Sequence, residues 1–99
     1  MKLIWTNEAL RRLSEIDDYI AQDSVARAKN FIAKIIRHAS SLTTYPEKGR
    51  IVPEFNSPNI REIIYKNYRI VYRLHKGQIQ ILTVFEAHRL IQTSEIQRK

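Results

Sequence analysis

The chain has 99 residues, of which 43% are apolar, with two glycines and three prolines. This length and composition exclude disordered and collagen-like proteins and predict one domain over residues 1–99, because so short a chain cannot bury two cores. Seventeen Lys and Arg against ten Asp and Glu give a net charge of +7, which favours an acidic or polyanionic partner. The absence of cysteine excludes disulfide scaffolds, Cys-ligated zinc and a thiol nucleophile.

Targeting segments are not evident in the sequence. The opening "MKLIW" is followed by Asn7, Glu8, Arg11 and Arg12, so no apolar core of a signal peptide is present. No run approaches the roughly 20 apolar residues of a membrane helix. We therefore expect a cytoplasmic protein with no membrane partner.

A short β-like run and two helices come first in the chain. "KLIW" places Leu3 and Trp5 on one face, and Thr6 or Asn7 can then cap a helix. The apolar spacing predicts an amphipathic helix of about sixteen residues. Its stripe consists of Ala9, Leu13, Ile16 and Ile20.

A second helix begins after Asp23 or Ser24, either of which is a suitable cap. The break between the two helices is short, so they should form an antiparallel hairpin that packs on another layer. The apolar positions of this second helix are Val25, Ala28, Ile32, Ile35, Ala39 and Leu42.

Three β-like runs follow an irregular connection, "YPEKGRIVPEFNSPN", which contains all the prolines and is expected to include one short strand around Ile51 and Val52. The runs are "IREIIY", "YRIVYRLH" and "QIQILTVF", separated by "KN" and "KG" turns. The predicted class is α+β, with the hairpin packed on a three- to four-stranded antiparallel sheet. The final segment, "AHRLIQTSEIQRK", is compatible with a short C-terminal helix or a frayed tail.

The KG turn sets a strand register that can be tested. A two-residue loop pairs Leu74 with Ile79 and Tyr72 with Ile81. If this register continues along both strands without interruption, Tyr68 pairs with Phe85, and all these residues lie on the face that meets the helices. The same register pairs Ile70 with Thr83, Val71 with Leu82 and Arg69 with Val84. The KN turn is ambiguous: a two-residue loop puts Glu62 and Ile64 beside Arg69, whereas a one-residue bulge puts Arg61 there.

The opposite sheet face is predicted to be open and basic. It would carry Arg69, Arg73 and His75, with Glu86 and His88 near its end. Arginines bind phosphates bidentately, and a histidine or glutamate can move protons, so this set could act on RNA. Alternatively, the arginines form cross-strand ion pairs with Glu62 or Glu86 on a solvated face. No metal-ligand spacing is present, and we expect neither a metal nor a cofactor.

The order of elements and several motifs together resemble the RelE/ParE superfamily of toxins from bacterial type II toxin–antitoxin modules. The motifs are "IWTNEALRRLSEIDDYIAQDS", "FIAKI", "YPEKGRIVPEF", "IREIIYKNYRIVYRL" and "ILTVFEAHRLI", which cover nearly the whole chain. The resemblance implies a toxin that a cognate antitoxin neutralises, in a possible toxin–antitoxin hetero-oligomer.

The two branches of this superfamily imply different activities. The hairpin "LSEIDDYIA" looks like the ParE branch, which inhibits DNA gyrase without being a nuclease, and this interpretation is favoured. The alternative is a RelE/YoeB-like ribosome-dependent mRNA endonuclease. It would use Glu54 as general base, Arg69 as phosphate ligand and His88 as general acid, positions similar to the YoeB set. A third possibility is a degenerate member that retains only antitoxin binding.

Two departures count against the nuclease interpretation. Arg89 stands where an aromatic residue would follow the histidine, and Glu86 occupies a place where the nucleases tend to have another base. The resemblance leaves a functional basic face whose members would be Arg61, Arg69, Arg73 and Arg89.

Overall fold

The computed structural model describes residues 1–87, so the predicted C-terminal helix lies outside the described residues. Within them, two helices follow an N-terminal strand, and the remaining strands come after a connection. The elements are β1 (Lys2–Trp5), α1 (Asn7–Ala21), α2 (Val25–Ser40), a 3₁₀ turn (Ser41–Thr43), β2 (Arg50–Ile51), β3 (Ile60–Tyr65), β4 (Tyr68–His75) and β5 (Gln78–Glu86).

The described strands form one sheet in the order β1-β5-β4-β3-β2. Strands β2 to β5 are antiparallel, as predicted, while β1 lies parallel to β5 at the edge. The α+β arrangement of a helical hairpin on a mostly antiparallel sheet is confirmed. In this part of the chain, no helix combines the length and apolarity needed to cross a membrane.

The helix starts follow the capping residues that the sequence suggested. Thr6 Oγ1 accepts a hydrogen bond from the Ala9 backbone N–H at 3.2 Å and donates to the Ile81 carbonyl at 2.7 Å, so the cap also ties α1 to β5. Ser24 Oγ accepts from the Arg27 N–H at 3.1 Å. Leu42, predicted on the second helix, lies in the 3₁₀ turn and is fully buried.

The main core lies between the hairpin and one face of the sheet. Its helical side includes Leu13, Ile16 and Ile35, as the 3.6-residue periodicity predicted. Tyr65, Tyr68, Trp5 and Phe31 pack around its edge. The buried sheet residues of this core are Ile63, Ile70, Tyr72, Ile79, Ile81 and Val84.

A second, smaller core covers the opposite face of the sheet. The connection before β3 folds over this face, so that Val52 is fully buried and Phe55 packs beside it. The sheet contributes Val71, Leu82 and Phe85. The prediction that this face is open is therefore wrong around the middle of β4.

A β-bulge at Leu82 explains much of the difference. The predicted pairs hold from His75 to Tyr72, but the register then shifts by one residue, so Thr83 pairs with Val71, Val84 with Ile70, and Phe85 with Arg69. The predicted pairings of Tyr68, Ile70, Val71 and Arg69 were wrong for this reason. Nothing in the local sequence marks a bulge, because Leu82 and its neighbours all fit a buried strand.

The bulge also exchanges which side chains share a face. Val84 joins the main core and Phe85 joins the second one. Glu86 pairs with Tyr68 rather than extending the face of Arg69, so that prediction was wrong as well. The KN turn is the two-residue alternative: Tyr65 pairs with Tyr68 across it, which puts Glu62 on the same face as Arg69.

Candidate functional site

Arg69 occupies the centre of a buried ionic cluster on the face covered by the connection. Its two terminal nitrogens each donate to a different carboxylate oxygen of Glu54 at 3.1 Å. Its Nε donates to Glu62 Oε1 at 2.5 Å. The guanidinium thus joins the connection before β3 to strand β3, and its planar fork suits the bidentate contact with Glu54.

Glu62 is the most deeply buried member of the cluster, with a side chain that has no exposed surface. Its second carboxylate oxygen accepts from Arg50 Nε at 2.6 Å, while the Arg50 side chain remains 65% exposed. The cluster therefore contains two cations, Arg50 and Arg69, and two anions, Glu54 and Glu62. Their formal charges cancel.

The Phe85 ring packs against Arg69 at one side of this cluster. The Arg69 guanidinium carbon lies 5.2 Å from the centre of the Phe85 ring, a cation–π geometry, and Arg69 as a whole is 4% exposed. Burial disfavours the charged guanidinium, but the hydrogen bonds to Glu54 and Glu62 outweigh that cost and raise the pKa of Arg69 above its ordinary value. Arg69 is consequently charged at neutral pH.

The predicted catalytic pair is in direct contact. The RelE/YoeB resemblance gave Arg69 and Glu54 the separate roles of phosphate ligand and general base, and the structure joins them in one ion pair. Of the two ion-pair partners considered for Arg69, Glu62 is the one observed, and Glu86 is not. His88 and Arg89 lie outside the described residues, so the proposed proton donor and the basic position after it stay predictions.

Arg61 does not share the face of Arg69. It pairs with Tyr72, whose side chain lies in the main core, and its guanidinium fastens the preceding connection to the sheet. It donates to the carbonyl oxygens of Glu47, Gly49 and Pro58 at 3.2, 2.9 and 3.0 Å. Arg61, although predicted on the basic face, therefore holds the connection against the sheet by hydrogen bonds to backbone carbonyls.

Arg73 does lie on the same face as Arg69, four residues further along β4. Its Nε donates to the Gln80 side chain at 2.9 Å, so it contacts an amide rather than a carboxylate. His75 is exposed at the end of the strand. Within residues 1–87 no group of three His, Asp or Glu side chains is arranged to hold a metal ion.

A groove of about 280 Å³ lies between α1 and the ends of β4 and β5. Tyr19, which is 70% exposed, and Tyr68 form its aromatic part, and Arg12, Glu15 and Glu86 provide charges. Burial, the Glu86 carboxylate and Tyr19 together raise the pKa of Tyr68. This groove therefore combines exposed aromatic surface with charges of both signs.

Comparison with known proteins shows the family to which this chain belongs. The family described as "ParE toxin of type II toxin-antitoxin system, parDE" matches residues 3–91. The chain belongs to the ParE toxin family. A structure titled "Chromosomal ParDE TA system from P. aeruginosa" shares the fold, with a TM-score of 0.75 and 23% identity over 89% of this chain and 97% of the other.

Two curated relatives of this ParE-family chain carry toxin names. "Putative toxin Y4kP" of Sinorhizobium fredii is 36% identical over 89 residues, which are 88% of each chain. "Toxin RelE2" of Caulobacter vibrioides is 33% identical over 90 residues, covering 90% of this chain and 98% of the relative. The chain is accordingly a ParE-type toxin of a type II toxin–antitoxin system, as its resemblance implied, and the family implies an antitoxin partner.

Two residues that contact the Arg69 cluster or belong to it were not placed there by the sequence. Phe85 was assigned to the main core because the uninterrupted register placed it beside Tyr68. Arg50 was given no role. The one available signal was the spacing of Val52 and Phe55 in "VPEF", since two apolar residues flanking Glu54 indicate a connection that packs on the protein.

Proposed function

We propose that this ParE-family toxin arrests growth by binding DNA gyrase rather than by cleaving RNA, and that a cognate antitoxin neutralises it. The observation that carries the proposal is the ion pair between Arg69 and Glu54. Family membership supports a toxin function. The engagement of Arg69 and Glu54 with each other favours a binding mechanism over a catalytic one.

Cleavage of RNA by its own 2′-hydroxyl needs a base that can take a proton and a cation that can reach phosphate. Here the carboxylate of Glu54 accepts one hydrogen bond from each terminal nitrogen of Arg69, and Nε of Arg69 donates to Glu62. Moving Arg69 to a phosphate would leave the fully buried Glu62 with only Arg50 as an ionic partner, a change that is costly in a buried site.

The groove between α1 and the sheet is suited to the antitoxin. Tyr19 offers an exposed aromatic surface of the kind that anchors protein interfaces, and charges of both signs surround it. An amphipathic antitoxin segment could bury its apolar face against Tyr19 and Tyr68 and pair its charges with Arg12 and Glu15. The excess of cations on this chain also favours an acidic partner.

The alternative function is that of a ribosome-dependent mRNA endonuclease, with Arg69, Glu54 and His88 in the roles given above. It is kept because one relative, at 33% identity, is named Toxin RelE2. Under this alternative the cluster must open before the reaction, since both Glu54 and Arg69 are engaged in the described structure.

Induction of the toxin in cells distinguishes the two functions. We expect growth arrest, plasmid topoisomers that shift towards the relaxed form, and mRNA 5′ ends that match those of uninduced cells. Co-expression of the antitoxin encoded by the adjacent reading frame should restore growth. New 5′ ends within transcripts, with unchanged topoisomers, would establish the endonuclease instead, and undiminished growth would indicate a degenerate toxin.

A Glu54→Gln variant sharpens this test. The amide oxygen can still accept a hydrogen bond from Arg69, but the amide cannot act as a general base. Growth arrest that persists in Glu54→Gln supports the binding mechanism. Arrest that disappears while the variant remains folded supports catalysis by Glu54.

A further inference from the structure

A basic cleft of about 340 Å³ lies where the C-terminal end of α2 meets the end of β3, away from the Arg69 cluster. Its lining contains three cations and a histidine but no Asp or Glu. The lining residues are Lys34, Arg37, His38, Ser41, Lys48 and Tyr65.

The cations of this cleft have no carboxylate partner within residues 1–87, unlike several cations of the hairpin. Arg11, Arg12 and Lys29 on the hairpin each form an ion pair with a nearby carboxylate. Within residues 1–87, by contrast, neither Lys34 nor Arg37 forms an ion pair or a side-chain hydrogen bond. No carboxylate of the described residues therefore neutralises the charge of Lys34 or Arg37.

Lys48 is held in position by a short chain of hydrogen bonds. Its Nζ donates to Ser41 Oγ at 2.7 Å, and that hydroxyl donates to the His38 carbonyl at 2.7 Å. Because an ammonium group has three donors, two remain to face a ligand. This Lys–Ser contact fixes a cation at the cleft without cancelling its charge.

An aromatic surface adjoins the cations. The Tyr65 ring lies 5.0 Å from the His38 ring, centre to centre, and Lys66 Nζ lies 6.0 Å from the Tyr65 ring centre. Lys66 thus adds a further positive charge beside the cleft. Tyr65 is half-buried and forms part of the cleft lining.

The helix dipole accounts for only some of this charge. Arg37 and His38 lie in the last turn of α2, where cations are favoured by the negative end of the dipole. Lys48 comes from the connection and Lys66 from the turn between β3 and β4, and the dipole does not account for either. Cations from three separate elements meet at one place.

We propose that this basic cleft binds phosphodiester groups of a nucleic-acid backbone. Cations without carboxylate partners supply the contacts to phosphate, and a ring beside them can stack on a base, the combination found in proteins that track nucleic-acid strands. An acidic peptide is the competing occupant of this cleft, and competition with polyglutamate distinguishes it from a nucleic acid. The proposal does not depend on gyrase being the target.

The test is fluorescence anisotropy of purified toxin with a labelled 20-bp DNA duplex and with a labelled 20-nucleotide RNA strand, from 50 to 200 mM salt. The cleft variant combines Lys34→Ala, Arg37→Ala and Lys48→Ala. The matched control removes three cations elsewhere by Lys2→Ala, Arg27→Ala and Lys76→Ala. Urea unfolding of both variants verifies that each remains folded under the assay conditions.

We expect the cleft variant to bind at least about tenfold more weakly than the wild type at 50 mM salt, with a shallower dependence on salt by about one phosphate contact for each cation lost. The control variant should bind within about threefold of the wild type, because it retains the cleft. The ligand, DNA or RNA, is identified as the nucleic acid whose affinity falls more in the cleft variant.

Three results would overturn the proposal. The first is absence of wild-type binding to both nucleic acids at 50 mM salt, and the second is an equal loss in the cleft and control variants. The third is displacement of the nucleic acid by polyglutamate at an equal concentration of charges, which would indicate an acidic peptide site.

Discussion

Arg69 and Glu54 are joined by two hydrogen bonds of 3.1 Å that connect strand β4 to the segment lying over it. The contact closes the second core, because Val52 and Phe55, on either side of Glu54, pack on the sheet beside it. Arg69, which the sequence predicted on an open face as a phosphate ligand, is therefore a buried residue that holds two segments of the chain together.

Replacing Arg69 should destabilise the protein far more than replacing Arg50, although both contact Glu62. Arg69→Ala leaves a buried carboxylate without its main partner and should lower the free energy of unfolding by about 3–5 kcal/mol. Arg50→Ala removes a side chain that is 65% exposed and should cost less than about 1 kcal/mol. Urea denaturation of the two variants measures both values, and equal losses would show that Arg69 is not the centre of the cluster.

Gly49 and Tyr72 should be energetically coupled. A Cβ on residue 49 would lie 2.6 Å from the Tyr72 hydroxyl and 2.7 Å from the Glu62 carbonyl oxygen, so Gly49→Ala should cost about 1–3 kcal/mol. Tyr72→Phe loses hydrogen bonds to the Gly49 N–H and the Pro46 carbonyl and should cost about 1–3 kcal/mol.

The double variant tests that coupling. Removing the hydroxyl relieves one of the close contacts of the new methyl group, so the combined loss should be smaller than the sum of the single losses by about 0.5–1 kcal/mol. Unfolding free energies of the wild type and the three variants complete the cycle. Strict additivity would mean that residue 49 does not approach Tyr72 as closely as described.

Glu8 should contribute to the loss of stability in acid. Burial opposes its charged form, but hydrogen bonds from Arg11 and Arg12 outweigh burial and lower the pKa of Glu8 below 4.5. A carboxyl group with a lowered pKa in the folded state stabilises the protein above its unfolded pKa and loses that effect as the pH falls through the folded pKa.

Unfolding free energies measured between pH 3 and 7 test this expectation. The wild type should lose stability below about pH 4.5 more steeply than Glu8→Gln, which has no proton to bind at this position. Asp23→Asn is the control, because Asp23 is exposed and forms no ion pair in the described part of the chain. A Glu8→Gln curve parallel to the wild type would contradict the assignment.

The parts of the structure predicted from sequence are those set by local rules. Thr6 and Ser24 cap the helices because their hydroxyls can accept from the first turn, and the KG turn fixes the pairs from His75 to Tyr72. The burial of Arg69 depends instead on a non-local event, the folding of the connection over the sheet, and on a bulge at Leu82 that no local signal marks. Register extrapolation consequently fails beyond the bulge.

The position of a residue on a predicted strand also does not indicate which groups its side chain contacts when that side chain is long. Arg61 was grouped with Arg69 on charge, yet its guanidinium donates to the backbone carbonyls of Glu47, Gly49 and Pro58. Such contacts depend on the path of an irregular segment, which periodicity cannot give. Its sequence neighbour Glu62 was correctly placed beside Arg69 by one of the two turns considered.

The most direct test of the proposed mechanism is inhibition of purified DNA gyrase. Gyrase is mixed with relaxed plasmid, ATP and increasing amounts of the toxin, and supercoiled product is measured by gel electrophoresis. We predict that the wild type and Glu54→Gln inhibit supercoiling at similar concentrations and that the antitoxin relieves the inhibition. Full gyrase activity at a large excess of toxin, together with toxin-dependent cleavage of ribosome-bound mRNA, would contradict it.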